Sequence, residues 1–521
     1  MSFLVIYSIF CGFFYFLYIK FRPNVEFFKK RKILYESPTA FCGNLNELAM
    51  RKLSFCDIVQ MLYKKFDNER IFGFFNFTQP QIIIRDPQII QQITTTHFDN
   101  FINRTESFHD GILNHTLPAQ KNQHWRDMRN AVSPIFNAKN VKSLFDLMLE
   151  NSESFVDYCK NLHNDDDELI IDVKDLSQKF TINSIASCVF GSPSDCLRKN
   201  EKIYRIATNL KSKLKFFKHQ LYKIFKISLI DSTLRSFLQQ KVIDEIKLRQ
   251  LKNISRADVI QLLLHAKEGQ LHHQEINSYD KSDATQLNYA ETIEFDVNPK
   301  RPKQTTWSDD DFIAQGLIFF TQGHENTTNF ITMLIYELAK NFDVQMELMD
   351  EIDEVNESLN GRKISHEFLY KMKFLDCVVS EALRLWPPMS TTNRICNENC
   401  EIQIDEGHKI AFDKGDQLII PIYAIHCDEK FFENPKVFNP HRFDDENRVK
   451  IHSNSFMPFG NGKRSCIASR YVLQEAKLLI FNLLSQFTLE MCSTTPSNIE
   501  LNESFEFDVK ETIFIRLRAR N

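Results

Sequence analysis

Apolar residues come first. Residues 3–19 are apolar apart from Ser8 and Gly12, and Lys20, Arg22, Lys29, Lys30, Arg31 and Lys32 follow. A run of about 17–19 apolar residues sits at the short end of what crosses a bilayer. It lacks the basic start and small-residue cleavage site of a removable signal. The positive flank on its C-terminal side puts the remainder of the chain on the cytosolic side. The pattern predicts a transmembrane signal-anchor over 1–21 and a basic linker over 22–34.

Further along, strand-like runs 71–77 and 81–84 flank a turn containing Pro80, which predicts a hairpin. A helix should follow Asp86-Pro87 as far as about Ile93. Apolar residues at helical spacing predict helices from His124, over 176–189, 201–210, 258–266 and 375–385, and over 467–487. The longest begins at Ser308-Asp309-Asp310-Asp311, a capping-box pattern, and runs to about Asn341. Segment 211–230 interleaves six lysines with aromatic and aliphatic residues. That pattern suits a solvated face or a membrane-surface element. Residues 267–306 are polar, lack periodicity and read as a flexible insertion. There are no internal repeats.

Composition narrows the class. With 521 residues, 43% hydrophobic and 25% charged, a large core is available and global disorder is excluded. A formal charge of −4 argues against a general nucleic-acid binder. The twelve cysteines include no C-x-x-C pair, and Cys396 and Cys400 have no second pair to complete a zinc site. Most read as reduced thiols in a cytosol-facing protein. In that topology the sequons at Asn103 and Asn114 stay unglycosylated.

The candidate chemistry centres on Phe459-Gly460-Asn461-Gly462-Lys463-Arg464-Ser465-Cys466-Ile467-Ala468. Cys466 lies where a glycine-rich loop enters a helix, and free N–H groups there favour an anionic sulfur. Arg464 is a nearby cation able to hold a carboxylate, and Phe459 can cover the sulfur. Such a cysteine is a nucleophile, an iron ligand or a buried thiol in a turn. Trp125 and Arg129, four apart, share a helix face of pure donors suited to a carboxylate. Inside the long helix, Gln322-Gly323-His324-Glu325-Asn326-Thr327 places polar groups against its apolar character, and such conflicts often mark a site.

The pattern F-x-x-G-x-R-x-C-x-A resembles the haem-thiolate loop of the cytochrome P-450 monooxygenases, with Ala468 where the family more often has Gly. The other motifs follow in the family's order over about residues 35–521. The resemblance implies a mainly α fold with a small strand-rich lobe near 70–85 and 393–422, and one large catalytic domain over 35–521 behind the anchor. It implies haem b, with its iron held by Cys466. Trp125, Arg129 and Arg394 would bind its propionates, with Phe459 and Arg464 beside them. Glu381, Arg384 and Arg442, which match E-x-x-R and P-x-R-F, would form a buried network.

The stretch from Gln322 resembles A-G-x-[DE]-T-T, in which the glycine lets the helix open and the acid and first threonine relay protons. Glu325, Asn326 and Thr327 occupy the relay positions, but Asn326 replaces that threonine and Gln322 the small alanine. Phe319, Phe320, Gln322, Gly323, Met389, Ser390 and Thr391 would line the substrate pocket, with the 106–118 loop. The implied function is insertion of one atom of dioxygen into a lipophilic molecule. Electrons would come from NADPH-cytochrome P-450 reductase, with cytochrome b5 as an optional second donor, at the endoplasmic reticulum membrane. Asn326 keeps a hydroperoxide-using or isomerising enzyme open, and Gln322 a non-catalytic haem-binding protein.

Overall fold

The structure, a computed structural model, describes residues 23–105, 111–162, 169–191, 195–199, 203–204, 232–252, 256, 258–268, 289–291 and 307–520. The expected anchor, residues 106–110 of the pocket loop, segment 211–230, nearly all of 201–210 and most of 267–306 lie outside the described residues. Among the described residues no helix is long and apolar enough to cross a membrane.

Ten helices position the site: α1 Phe55–Lys65, α2 Asn122–Val132, α3 Phe145–Leu162, α4 Val173–Cys188, α5 Ser232–Lys252, α6 Val259–Lys267, α7 Asp309–Lys340, α8 Phe342–Leu359, α9 Lys373–Leu385 and α10 Ser469–Leu484. Their starts follow local chemistry. Ser54 and Asp57 form a capping box on α1, and Ser308 and Asp311 form one on α7. Trp386 closes α9 just before Pro387, whose ring cannot continue a helix.

The strands are β1 Ile71–Asn76, β2 Gln79–Ile84, β3 Leu169–Asp172, β4 Thr392–Ile395, β5 Cys400–Asp405, β6 His408–Phe412, β7 Gln417–Ile420, β8 Phe487–Met491 and β9 Phe514–Ala519. The hairpin β1–β2 joins β7 in parallel and β4 beyond it, in the order β1-β2-β7-β4. β5 and β6 pair as a separate hairpin, so the lobe near 70–85 and 393–422 is present. A third sheet, β3-β9-β8, was not foreseen. The expected helix over 467–487 stops at Leu484, and Phe487 opens β8 instead, where its neighbours pair with β9. Past Gln91 the helix widens into a π turn, Gln92–Thr96, before the chain bends away.

One large core runs through α2, α3, α4, α7, α9 and α10. Within it α7 packs along α4 and is anchored at its N-terminal end. Asp311 pairs with His115 at 2.8 Å, and Gln315 accepts from the Leu117 N–H and donates to the His115 carbonyl. These bonds fix the segment before α2 to the long helix.

Candidate active site

Cys466 sits in the loop just before α10, with its N–H donating to the Phe459 carbonyl at 2.9 Å. Gly462 has φ +68°, and a Cβ there would lie 2.1 Å from the Thr94 carbonyl oxygen. Only glycine permits both the left-handed backbone and this approach to the π turn. Burial raises the Cys466 thiol, while the Ala468 N–H and the cations of Arg129 and Arg104 favour the thiolate.

Guanidinium groups converge around this loop from four parts of the sequence. Arg464 donates to the carbonyls of Ile102, Leu117 and Gln120 at 2.9, 3.2 and 2.9 Å, and lies 4.3 Å over the Trp125 ring. It therefore clamps Ile102 and the 117–120 stretch onto the cysteine loop, and keeps two of its five N–H groups for another acceptor. Arg129, on α2, donates to the Ser465 carbonyl at 2.8 Å. Arg394, on β4, donates to the Asn393 carbonyl at 2.8 Å and is 1% exposed. Arg104 reaches the Arg464 carbonyl at 2.9 Å.

Burial disfavours the charge on Arg464, and the cations of Arg104, Arg394 and Arg129 add to that; burial and then Arg104 do the same to Arg394. Guanidinium nonetheless stays protonated in proteins. Among the described residues no carboxylate pairs with Arg104, Arg394 or Arg464. The Nε of Arg104, the Nε of Arg394 and the Oγ of Ser465 are buried without a partner. Buried like charges with orphaned donors lack their anion. A flat ligand with two carboxylates beside a thiolate fits this donor set, and haem b is such a ligand. Arg104 was not singled out from the sequence, because nothing local distinguishes it.

Glu381, Arg384 and Arg442 lie together. Arg384 makes a bidentate pair with Glu381 at 2.7 Å, and Arg442 reaches the same carboxylate at 3.2 Å. Glu381 and Arg384 are fully buried, and Arg384 also donates to the His426 and Pro435 carbonyls. His426, a lone histidine without a sequence motif, joins this network to the stretch ahead of the cysteine loop.

The long helix and its pocket differ in part from expectation. α7 runs unbroken through Gly323. A Cβ on Gly323 would meet Ile185 of α4 at 3.2 Å, so the glycine allows two helices to approach. Phe320 is fully buried against Phe190, and Ser390 is 5% exposed and bonded to Cys56. Neither lines an open face. Phe320 is one residue off the open stripe of α7, and Ser390 sits in a bend between exposed Met389 and half-buried Thr391. Phe319, Gln322, Gly323 and Asn326 form the less covered stripe of α7, and Met389 is 47% exposed. Thr391 is half-buried and Thr327 is buried. Glu325 is half-buried on the adjoining turn. Neither the Gln322 nor the Asn326 side chain has a hydrogen-bond partner among the described residues.

Known proteins are similar in sequence to this chain along nearly all of its length. The family model for cytochrome P450 matches residues 35–513. Among curated relatives, probable cytochrome P450 9f2 of Drosophila melanogaster is 33% identical, over 96% of each chain. Cytochrome P450 9e2 of Blattella germanica is 31% identical over 95% of this chain and 94% of its own. Cytochrome P450 9b2 of Drosophila melanogaster is 31% identical over 97% of each. The span of the family model and the end-to-end likeness of these relatives show that the chain belongs to the cytochrome P450 family.

Proposed function

We propose that this chain, a haem-thiolate monooxygenase by family, oxidises a lipophilic small molecule with electrons from a separate NADPH-dependent reductase. Cys466 is the iron ligand of this reading. Haem, when bound, would supply the iron for oxygen activation, with the Cys466 thiolate as its ligand. The residues of the chain do the rest. Arg104, Arg129, Arg394, Arg464 and Trp125 would hold the two propionates. Phe459 screens the sulfur from water. Glu381, Arg384 and Arg442 fix the loop rather than add stability, since a buried ion pair gains little net energy. Phe319, Met389 and Thr391 shape an apolar pocket, and Gln322 places an amide in it.

Asn326 holds a water on the path by which protons enter, with Glu325 as the nearest titratable group. It can accept and donate hydrogen bonds, but does not give up its own proton as a hydroxyl chain does. The anchor over 1–21 keeps the domain, 35–521, on the cytosolic face of the endoplasmic reticulum, where a reductase and cytochrome b5 have access.

The single observation that carries it is the set of buried, unneutralised guanidiniums beside Cys466. The test is spectroscopic. The reduced, carbon monoxide-treated protein should show the red-shifted Soret band of thiolate ligation, and Cys466→Ser should lose it. A mutant that keeps the band moves the ligand elsewhere. Asn326 favours a second reading, rearrangement of a hydroperoxide without external electrons. Turnover with hydroperoxide alone, and none with NADPH and reductase, would establish that alternative.

A further inference from the structure

Two cysteines with no part in the haem reading meet at the end of β4. Cys396 follows directly on Ile395 and is fully buried. Its backbone is held on both sides: its N–H donates to the Asp416 carbonyl at 2.8 Å, and its carbonyl accepts from Gly415 at 2.8 Å. The Cys396 sulfur lies 3.0 Å from the Glu398 carbonyl and 3.8 Å from the Phe412 carbonyl. Phe412 is the residue directly opposite Cys400 in the β5–β6 ladder. The turn 397–399 thus folds the chain back, and Phe412 places the two side chains beside one another: its carbonyl contacts the Cys396 sulfur and it pairs across the ladder with Cys400. Among the described residues no third His, Cys, Asp or Glu completes a metal site there.

We propose that Cys396 and Cys400 form a dithiol that closes reversibly into an intramolecular disulfide. The oxidant is a low-molecular-weight disulfide such as oxidised glutathione. Cys400 is half-buried and Cys396 sealed, so Cys400 reacts first. Its thiolate attacks one sulfur of the oxidant, forms a mixed disulfide and releases one small thiol. Cys396 then loses its proton, attacks the Cys400 sulfur and releases the second small thiol. Two electrons and two protons leave the protein and appear in two reduced thiols. Burial raises both protein thiols, Cys396 to about 12, so the exchange runs slowly near neutrality and faster as pH rises. The backbone bonds at Asp416 and Gly415 keep the pair in register, and the oxidised turn ties the end of β4 to the start of β5.

The experiment uses the full chain in its haem-loaded form. It is incubated with excess oxidised glutathione at mildly alkaline pH, quenched with acid and alkylated in denaturant. Peptides are then mapped without reduction. The expected product is a peptide spanning 396–400 that has lost two hydrogens and is restored by dithiothreitol. In Cys396→Ser the resolving thiol is gone, and Cys400 should retain glutathione. The proposal is overturned if wild-type protein yields 396–400 with both cysteines alkylated. It is equally overturned if wild-type Cys400 keeps a stable glutathione adduct, or bridges a different cysteine. The wild-type map decides without any variant having to fold.

Discussion

His426 accepts the backbone N–H of Met457 at Nε2 over 3.0 Å, and donates from Nδ1 to the Arg384 carbonyl over 3.0 Å. The first bond requires an unprotonated Nε2, so the second must use the single proton on Nδ1. The imidazole is therefore neutral and its tautomer is set. It bridges the buried Glu381–Arg384 pair and the chain entering the cysteine loop. Burial, with the Arg384 cation, pushes its pKa down to about 3.

This predicts a pH dependence of folding with a definite sign. The unfolded histidine takes up a proton near 6.5 and the folded one only near 3. The stability it contributes is complete above pH ~6.5 and is lost as pH falls toward the folded value. Over that window each proton taken up only on unfolding contributes a slope of ~1.4 kcal/mol per pH unit. Denaturant unfolding of wild type and His426→Gln between pH 7.5 and 5 should show a shallower slope in the variant. Equal slopes would remove His426 as the source.

Arg104 and Arg394 should act oppositely on the haem-loaded and haem-free protein. A charge-assisted hydrogen bond contributes about 2 kcal/mol, so Arg394→Ala should speed haem transfer to an acceptor apoprotein roughly 30-fold. The same change relieves repulsion among buried cations, so the haem-free variant should melt no lower than wild type. Loss of stability in both states would mean that Arg394 is simply part of the core.

Asn326 can be tested by counting electrons. Asn326→Ala should divert NADPH consumption to hydrogen peroxide, whereas Asn326→Thr should couple as well as wild type or better. The measurement is product formed per NADPH consumed, with peroxide followed in parallel. If Asn326→Ala couples like the parent, the amide plays no part in proton entry.

Deleting residues 1–21 should release much of the protein from membranes while leaving the carbon monoxide spectrum intact. Any residual attachment through 211–230 should weaken with salt. A truncated chain unable to bind haem would place those residues inside the folded domain.

What the sequence made legible is what spacing encodes locally. Gly462, Cys466 and the capping pair Ser308–Asp311 lie within short windows whose backbone geometry follows from residue type. Glu381 and Arg384 sit one turn apart on a helix, so their pairing can be read directly. Arg104 and His426 could not be found this way. Arg104 meets Arg464 across 360 positions, and His426 meets Arg384 across 42, without a periodic signal. The burial of Phe320 and Ser390 was not legible either, because a helix turns about 100° per residue, so Phe320 and Phe319 face different surroundings. Gly323 was expected to let the helix open, whereas α7 runs unbroken there and the neighbour it meets, Ile185, belongs to a helix far away in the chain.

The crowding of Arg104, Arg129, Arg394 and Arg464 also bears on the life of a newly made chain. Until its ligand arrives, the polypeptide holds like charges together in a low-dielectric interior, which lowers the cost of local opening around Arg464. Local opening exposes backbone that proteases cut. A ligand that binds only the folded form suppresses that opening by mass action. The amount of enzyme a cell keeps is then set by its supply of haem as well as by synthesis of the chain, with turnover itself reporting whether the prosthetic group was delivered.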